Sequence, residues 1–526
     1  MPVIFWASFT ATLVVLSILT ILQKKKSLRL PPGPPRRFIV GNLKDLPKPD
    51  QQEWHHWMKH KELYGPISSL SVLGKCIIIL NDYQLAIQLL EKRSVYHSSR
   101  PQQTFADMSG WDNVLGSVRD PVQLRDTRRF LAQGIGSNKS VSRFDQVQKA
   151  EAARFLMRVL NAPEKLRQHI QKEAAAVVLK IGYGYTVEPH GEDPLVILAN
   201  KAMTDFSSAM LPTSWPVNFL PFLKYMPTWM PGSDFIHVAR RYKKTVTAFS
   251  DVPYNFVKEQ MEKQTAVPSF LSNVLSKSSI KPGSQEEITI KWSAGSLYAG
   301  GADTTVSSLA TFFLAMALFP EVQHKAQQEL DTVVGNDRIP EFHDRASLPY
   351  VNAVIQEVFR WRPVVPINVA HESTADDVCE GYDIPKGSII LANIWAFTRD
   401  ESIYHDPMAF KPERFLPSLS GNPPELKPSM IFGFGRRVCA GRLLAETNMF
   451  LTVAQSLAVF DISKPLQNGK EEDFSASWLP GVISHPAPFE LSIRPRSDKH
   501  LEIIRSLERQ YPWEKSNARD IGSVVF

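Results

Sequence analysis

The segment Phe432-Gly-Phe-Gly-Arg-Arg-Val-Cys439-Ala-Gly441 sets one of the chain's three cysteines between glycines and two residues beyond an arginine pair. A cysteine that ligates a metal or attacks a substrate must be ionised, so its surroundings have to favour the anion. From Gly441 the sequence GRLLAETNMFLTVAQSLAVF has helical periodicity, which puts Cys439 just ahead of a helix N-terminus. Free backbone N–H groups and the helix dipole stabilise a thiolate there. Gly433, Gly435 and Gly441 let the backbone turn tightly and approach a flat partner. One cysteine is too few for structural zinc, and no second cysteine or histidine stands at zinc spacing. A solitary thiolate with arginines nearby suits haem iron, the arginines pairing with propionates. By itself, the segment is also open to a plainer reading as a buried structural cysteine.

Two further groups could do chemistry. In AGGADTT, Ala299 to Thr305, Thr304 carries a hydroxyl that donates and accepts, and Asp303 beside it can relay protons from solvent. An ordinary helix with a back-bonded threonine and a surface acid has the same pattern. Glu357 and Arg360 lie three apart on one helix face, the usual setting of a solvated ion pair.

In order along the chain, AGGADTT, EVFR (Glu357 to Arg360), FKPERF (Phe410 to Phe415) and Phe432-x-x-Gly435-x-Arg437-x-Cys439-x-Gly441 resemble the motifs of the cytochrome P450 family. The stretch GNDRIPEFHDRASLPYVNAVIQEVFRWRPVVP is similar to fungal microsomal members of secondary metabolism. The resemblance implies a mainly α fold, a large helical body around haem b with a small β-sheet region. It implies Cys439 as axial ligand of the haem iron, with Phe432, Gly435 and Gly441 shaping its loop and Arg437 on a propionate. Arg128 in LRDTRRF matches a family propionate arginine, although Leu124 stands where the family often has tryptophan. His371 matches another propionate position. Gly300 and Gly301 are expected to leave room over the haem face. Asp303 and Thr304 become the catalytic acid–alcohol pair, and Glu357, Arg360 and Arg414 a buried structural network. The implied reaction inserts one oxygen atom of O2 into a hydrophobic small molecule, with NADPH electrons delivered by a cytochrome P450 reductase. A P450-fold isomerase or dehydratase needing no external electrons, and a haem carrier, are the rivals; the intact Asp303-Thr304 pair argues against both. A terpenoid is the first expectation for the substrate, with a polyketide or indole-type metabolite behind it. By family position the pocket is lined by 103–118, 203–220, Ala299, Ala302, Val364 to Asn368 and Gly481 to Ile483, which are mostly apolar.

The elements that must hold these residues read as one large body from 36 to 526, with no repeats and no convincing internal linker. Apolar residues recur at helical spacing over 148–180, 236–264, 288–318, 320–334 and 347–361. ISSLSVLGKCIIIL, 67–80, reads as a hairpin turning at Gly74, with further β-like pieces at 366–372, 388–394 and near 483–493. Cys76 reads as a small core hydrophobe and Cys379 as part of a surface turn. Three cysteines make no disulfide framework and fit a reducing compartment. Lys+Arg 60 against Asp+Glu 53 is a mild positive excess without a long basic run, which argues against nucleic acid and for an acidic protein or lipid partner. Residues 3–22 carry no charge and are long enough to cross a bilayer, and Lys24, Lys25, Lys26 and Arg29 follow. The expectation is a transmembrane anchor over 1–22, a basic and Pro-rich linker over 23–35, and a catalytic domain over 36–526 on the cytosolic side of the endoplasmic reticulum. The Asn138-Lys-Ser140 glycosylation pattern would then go unused.

Overall fold

The computed structural model describes residues 28–521, except 49, 212–213, 278–279, 418–422, 468–469 and 472–475. The expected anchor, 1–22, lies outside the described residues. The proline stretch after it is extended but is not free. Ser69 Oγ donates to the Pro31 carbonyl at 2.6 Å, and the Ser69 N–H donates to Pro32 O at 2.9 Å. Gly33 is required at this docking: a Cβ there would stand 1.9 Å from Ser69 O.

The hairpin forms as expected, β1 (Ile67–Val72) against β2 (Lys75–Leu80). Leu73 and Gly74 both turn through the left-handed region, φ 47° and 85°. β3 (His371–Glu372) and β6 (Ile389–Ala392) complete a sheet of order β1-β2-β6-β3, with β2 and β6 parallel. A parallel pair needs a crossover, and most of the helices lie inside this one. The hairpin β4 (Asp377–Cys379) and β5 (Tyr382–Ile384) buries Cys379, 1% exposed, against Ile384 and Leu90. The surface turn expected at Cys379 is therefore wrong: the turn is at Glu380-Gly381, and Cys379 points into the core. Cys76 is partly buried against that same core.

The helices long enough to shape the body are α1 (Glu53–Tyr64), α2 (Pro121–Ile135), α3 (Asp145–Asn161), α4 (Leu166–Tyr183), α5 (Pro194–Ala209), α6 (Asp234–Glu262), α7 (Gln285–Leu318), α8 (Pro320–Val333), α9 (Pro349–Trp361), α10 (Arg442–Val459) and α11 (Asp498–Gln510). The single helical run expected over 148–180 is broken, because Pro163 cannot continue a helix and opens a new turn after Ala162. Strand content near 483–493 is narrower than expected, reduced to a bridge between Trp478 and Pro486 and to β8 (Ser492–Pro495) beside β7 (Phe460–Ser463).

α7 runs through the middle of the body. Ser284 caps it by accepting the Glu287 N–H, and Glu286 and Glu287 occupy its positive end. Its 34 residues are apolar on nearly every face, as suits a helix buried on all sides. Among the described residues it alone has the length and hydropathy of a membrane span, yet most of it lies inside the protein. Its first half joins one core with Phe105, Trp111, Phe249 and Leu444, and its second half another with Phe155, Val354 and Phe450.

Candidate functional site

The cysteine loop is built by backbone constraint. Gly433 and Gly435 adopt φ 80° and 49°, and a Cβ on Gly435 would stand 2.5 Å from Leu90 O. Phe432 closes the loop by accepting the Cys439 N–H at 2.7 Å. The Phe432 ring meets Phe359 of α9 edge-on at 5.7 Å, and the Arg442 guanidinium lies 5.3 Å from its centroid. Gly441 is the N-cap of α10, so Cys439 sits ahead of that helix as its sequence suggests.

Cys439 combines two properties that rarely coincide. Its surface is accessible, yet it is strongly desolvated. An accessible atom enclosed by protein faces interior space rather than bulk water. Burial pushes the thiol up, while the Gly441 N–H, Arg128 and Arg442 pull it down. On α7, Gly300 is exposed although the turns before it are buried. A Cβ on Gly300 or on Gly441 would meet nothing within 4 Å. Gly301 behaves differently: a Cβ there would stand 2.4 Å from Val178 Cγ2, so this glycine serves the packing of α7 on α4 and not the space over a haem face.

Three arginines and a histidine gather beside the loop. Arg128, on α2, donates to Val438 O at 2.8 Å, one residue from the cysteine. Arg437 donates to the carbonyls of Ser98, Leu115 and Val118 at 2.8, 3.2 and 2.7 Å. Arg100, 6% exposed, donates to Gly116, Val369 and Ala370 carbonyls at 2.8, 2.7 and 2.8 Å. His371, 1% exposed, shares its Nδ1 hydrogen with His97 O at 2.6 Å. None of the four pairs with a carboxylate among the described residues. Burial, with Arg128 nearby, pushes Arg437 down to about 10; burial, with Arg437 nearby, lowers Arg100 well below its ordinary value. His371 is held neutral by burial and by Arg100. One buried and two half-buried guanidiniums, bonded only to carbonyls, have no carboxylate partner among the described residues, which fits an anionic group such as a pair of propionates. The residues present therefore fit a haem, its iron on Cys439 and its acid edge on this cluster.

Arg100 escaped the sequence reading. It stands in SSRP without a charge partner or spacing cue, and only the fold brings it to Arg437. The plain solvated cation that His371 and Arg128 could equally have been does not describe their setting, since both are desolvated.

On α7, Thr304 is back-bonded to Gly300 O through its hydroxyl. Asp303 lies 3.1 Å from His485 Nε2, a partner from the C-terminal loop that the sequence did not single out. Behind the cysteine loop, Glu357 and Arg360 are fully buried and doubly bonded at 2.7 and 2.7 Å, and Arg414 reaches Glu357 at 3.2 Å. Arg360 also donates to the carbonyls of Thr398, Pro407 and Ala409, tying α9 to the irregular segment before the loop. The apolar segments expected around a substrate converge in one cluster: Phe105, Trp111, Met203, Phe206, Val217, Ala299, Ala302, Val364, Val482 and Ile483. Phe105 itself is fully buried and stacks on Trp215 at 3.5 Å, so it backs the pocket wall.

The Cytochrome P450 family model matches residues 31–493. Cytochrome P450 monooxygenase ppsD of Aspergillus oryzae is 47% identical over 506 residues, 96% of each chain. O-methylsterigmatocystin oxidoreductase of Aspergillus flavus is 43% identical over 516 residues, 98% of this chain and 97% of its own. Cytochrome P450 monooxygenase claR of Ampulloclitocybe clavipes is 42% identical over 521 residues, 97% and 96%. The match spans nearly every element that builds the cysteine loop and its cation cluster, and the chain belongs to the cytochrome P450 monooxygenase family.

Proposed function

We propose that the chain is a haem-thiolate monooxygenase of fungal secondary metabolism that hydroxylates or further oxidises a hydrophobic small molecule. The observation that carries this reading is the pairing of an accessible, desolvated Cys439 with Arg100, Arg128 and Arg437, which bond carbonyls and meet no carboxylate among the described residues. Haem, when bound, supplies the activation of O2 and the oxidation of the substrate, with electrons from NADPH through a reductase. The protein supplies the rest. Cys439 gives the thiolate, whose charge the Gly441 N–H, Arg128 and Arg442 balance. Arg100, Arg128, Arg437 and His371 hold the acid edge. Thr304 and Asp303 hold and move protons over the opposite face. The apolar cluster around Ala299, Ala302, Val364, Val482 and Ile483 binds substrate and excludes water.

Reductase docking is supported by surface charge on the cysteine side. Arg125 and Arg129 of α2 are exposed, as is Arg436 of the loop, and they share a region with Arg128 and Val438. Acidic partners dock on such surfaces. Residues 1–22 would anchor the body to the endoplasmic reticulum membrane, which suits a lipid-soluble substrate.

A terpenoid remains the first substrate class, and the relative named for O-methylsterigmatocystin makes that compound a second probe. The test is an optical titration of haem-loaded protein with terpenoid, polyketide and indole scaffolds and O-methylsterigmatocystin, followed by turnover with reductase, NADPH and 18O2. The expected result is a Soret shift with one class and a product that carries one labelled oxygen. Reductase-dependent turnover that yields only unlabelled product would overturn the monooxygenase reading. A shift with polyketides or indoles alone would overturn the terpenoid one.

A further inference from the structure

Asp303 is held by a group outside the acid–alcohol pair. Its Oδ1 lies 3.1 Å from His485 Nε2, and among the described residues it has no lysine or arginine partner. The histidine belongs to the loop 478–486, which is fastened to its surroundings at several points. Ser307 Oγ donates to Ser484 O at 2.5 Å, and the Ser484 N–H donates to Val364 O at 2.8 Å. The Leu479 N–H donates to His485 O at 2.8 Å, and Trp478 bridges Pro486. Ser307 stands four residues beyond Asp303 and shares its helix face. The same helix face thus grips the loop backbone at Ser484 and meets its next side chain at Asp303.

The loop also reaches the substrate side. Val482 and Ile483 pack in one cluster with Ala299 and Ala302 of α7 and with Val364. Val482 and Ile483, against the pocket, and His485, against the acid, are therefore two to three residues apart on one clamped segment.

We propose that His485 is the positioning residue of the proton relay: its Nε2–H fixes the Asp303 carboxylate beside Thr304. The inference rests on the relay role given to Asp303 above. An imidazole suits this post better than a lysine or arginine. At 3.1 Å it can offer the carboxylate a single N–H donor without a permanent charge beside it. Because the pocket residues Val482 and Ile483 share the clamped loop, a substrate that presses on them also bears on the geometry of the relay.

The test compares His485→Phe, His485→Gln and Asp303→Asn in haem-loaded full chain. Thermal unfolding of the two variants Phe and Asn and their combination asks whether the pair exists. The combined variant should lose no more Tm than the larger single loss. NADPH oxidation with purified reductase, without added substrate, is then measured in H2O and in D2O. His485→Phe should be about tenfold slower and show a larger solvent isotope effect than the parent chain. His485→Gln, which keeps an N–H donor, should stay within about twofold of the parent. Additive Tm losses, a His485→Phe variant with parental rate and isotope effect, or a Gln variant as slow as Phe would each overturn the proposal. A parent chain that binds haem through Cys439 but oxidises no NADPH with reductase would instead overturn the monooxygenase reading, and this inference with it.

Discussion

At the residue scale, the chemistry depends on charges that the fold leaves unbalanced on purpose-built surfaces. Arg100 and Arg437 are desolvated, bonded to carbonyls alone, and adjacent to one another. Removing one of them relieves repulsion in the haem-free protein and removes an anion partner in the loaded one. Arg100→Leu should therefore leave the unloaded protein no less stable while lowering retained haem, read as the ratio of Soret to protein absorbance after gel filtration. Thr304→Ala should keep haem and substrate binding but divert NADPH electrons from product to hydrogen peroxide, about tenfold or more in the product-to-peroxide ratio. Cys439, Arg437, Asp303 and Thr304 stand in compact motifs, so the resemblance could single them out before the fold was known. Arg100 and His485 do not. Most of their partners come from distant segments, Val369 and Ala370 for Arg100 and Asp303 for His485, and an isolated arginine or histidine has no spacing to betray it. The role of Gly301 was misread for a related reason: in AGGADTT the two glycines look alike, and only the packing of Val178 separates them.

At the scale of elements, helices set the geometry and buried networks lock them in register. Glu357 accepts both Arg360 and Arg414 and the Lys411 N–H, so one carboxylate joins α9 to the segment leading into the cysteine loop. Glu357→Gln would leave the buried Arg360 without its counter-charge, while Arg414 keeps Glu425 at 2.6 Å, and should cost about 3–5 kcal/mol in chemical denaturation. A second network sits between α3, α4 and α10. Glu173 of α4 is fully buried near Thr452 and Asn448 of α10, and burial raises its carboxyl to about 7. The folded state then keeps a proton that the unfolded chain releases near 4.5. Stability should fall as pH rises from that lower value to about 7 and level off above it. Glu173→Gln should match the parent at pH 4 or below and exceed it at pH 8 by about 3 kcal/mol, as measured by denaturant titration at each pH. The long helices were readable from periodicity, because their apolar faces are broad. The break at Pro163 was stated in the sequence but lost inside a continuous apolar pattern, and the burial of Cys379 depends on a hairpin of three-residue strands, too short to leave a pattern.

At the scale of the whole molecule, the proline stretch, the sheet and the basic face orient the body. Pro31 and Pro32 dock on Ser69 of β1 and Arg29 on Asp383 of β5, so the proline stretch is fastened to the body. Arg125 and Arg129 of α2, both near Asp126, and Arg436 of the cysteine loop are exposed. Arg436→Glu should raise the KM for reductase severalfold and steepen the loss of activity at low reductase, with kcat for a saturating reductase unchanged. The mild net charge is consistent with such a partner, but it does not say where on the surface the arginines stand.

The central claim is that Cys439 binds haem iron as a thiolate. The most direct measurement is the difference spectrum of the reduced, carbon monoxide-treated protein, taken for the parent chain and for Cys439→Ala after equal haem supplementation. A red-shifted thiolate Soret band in the parent and none in folded Cys439→Ala is the result this account predicts. The same band in both, or no haem in folded parent protein, would contradict it.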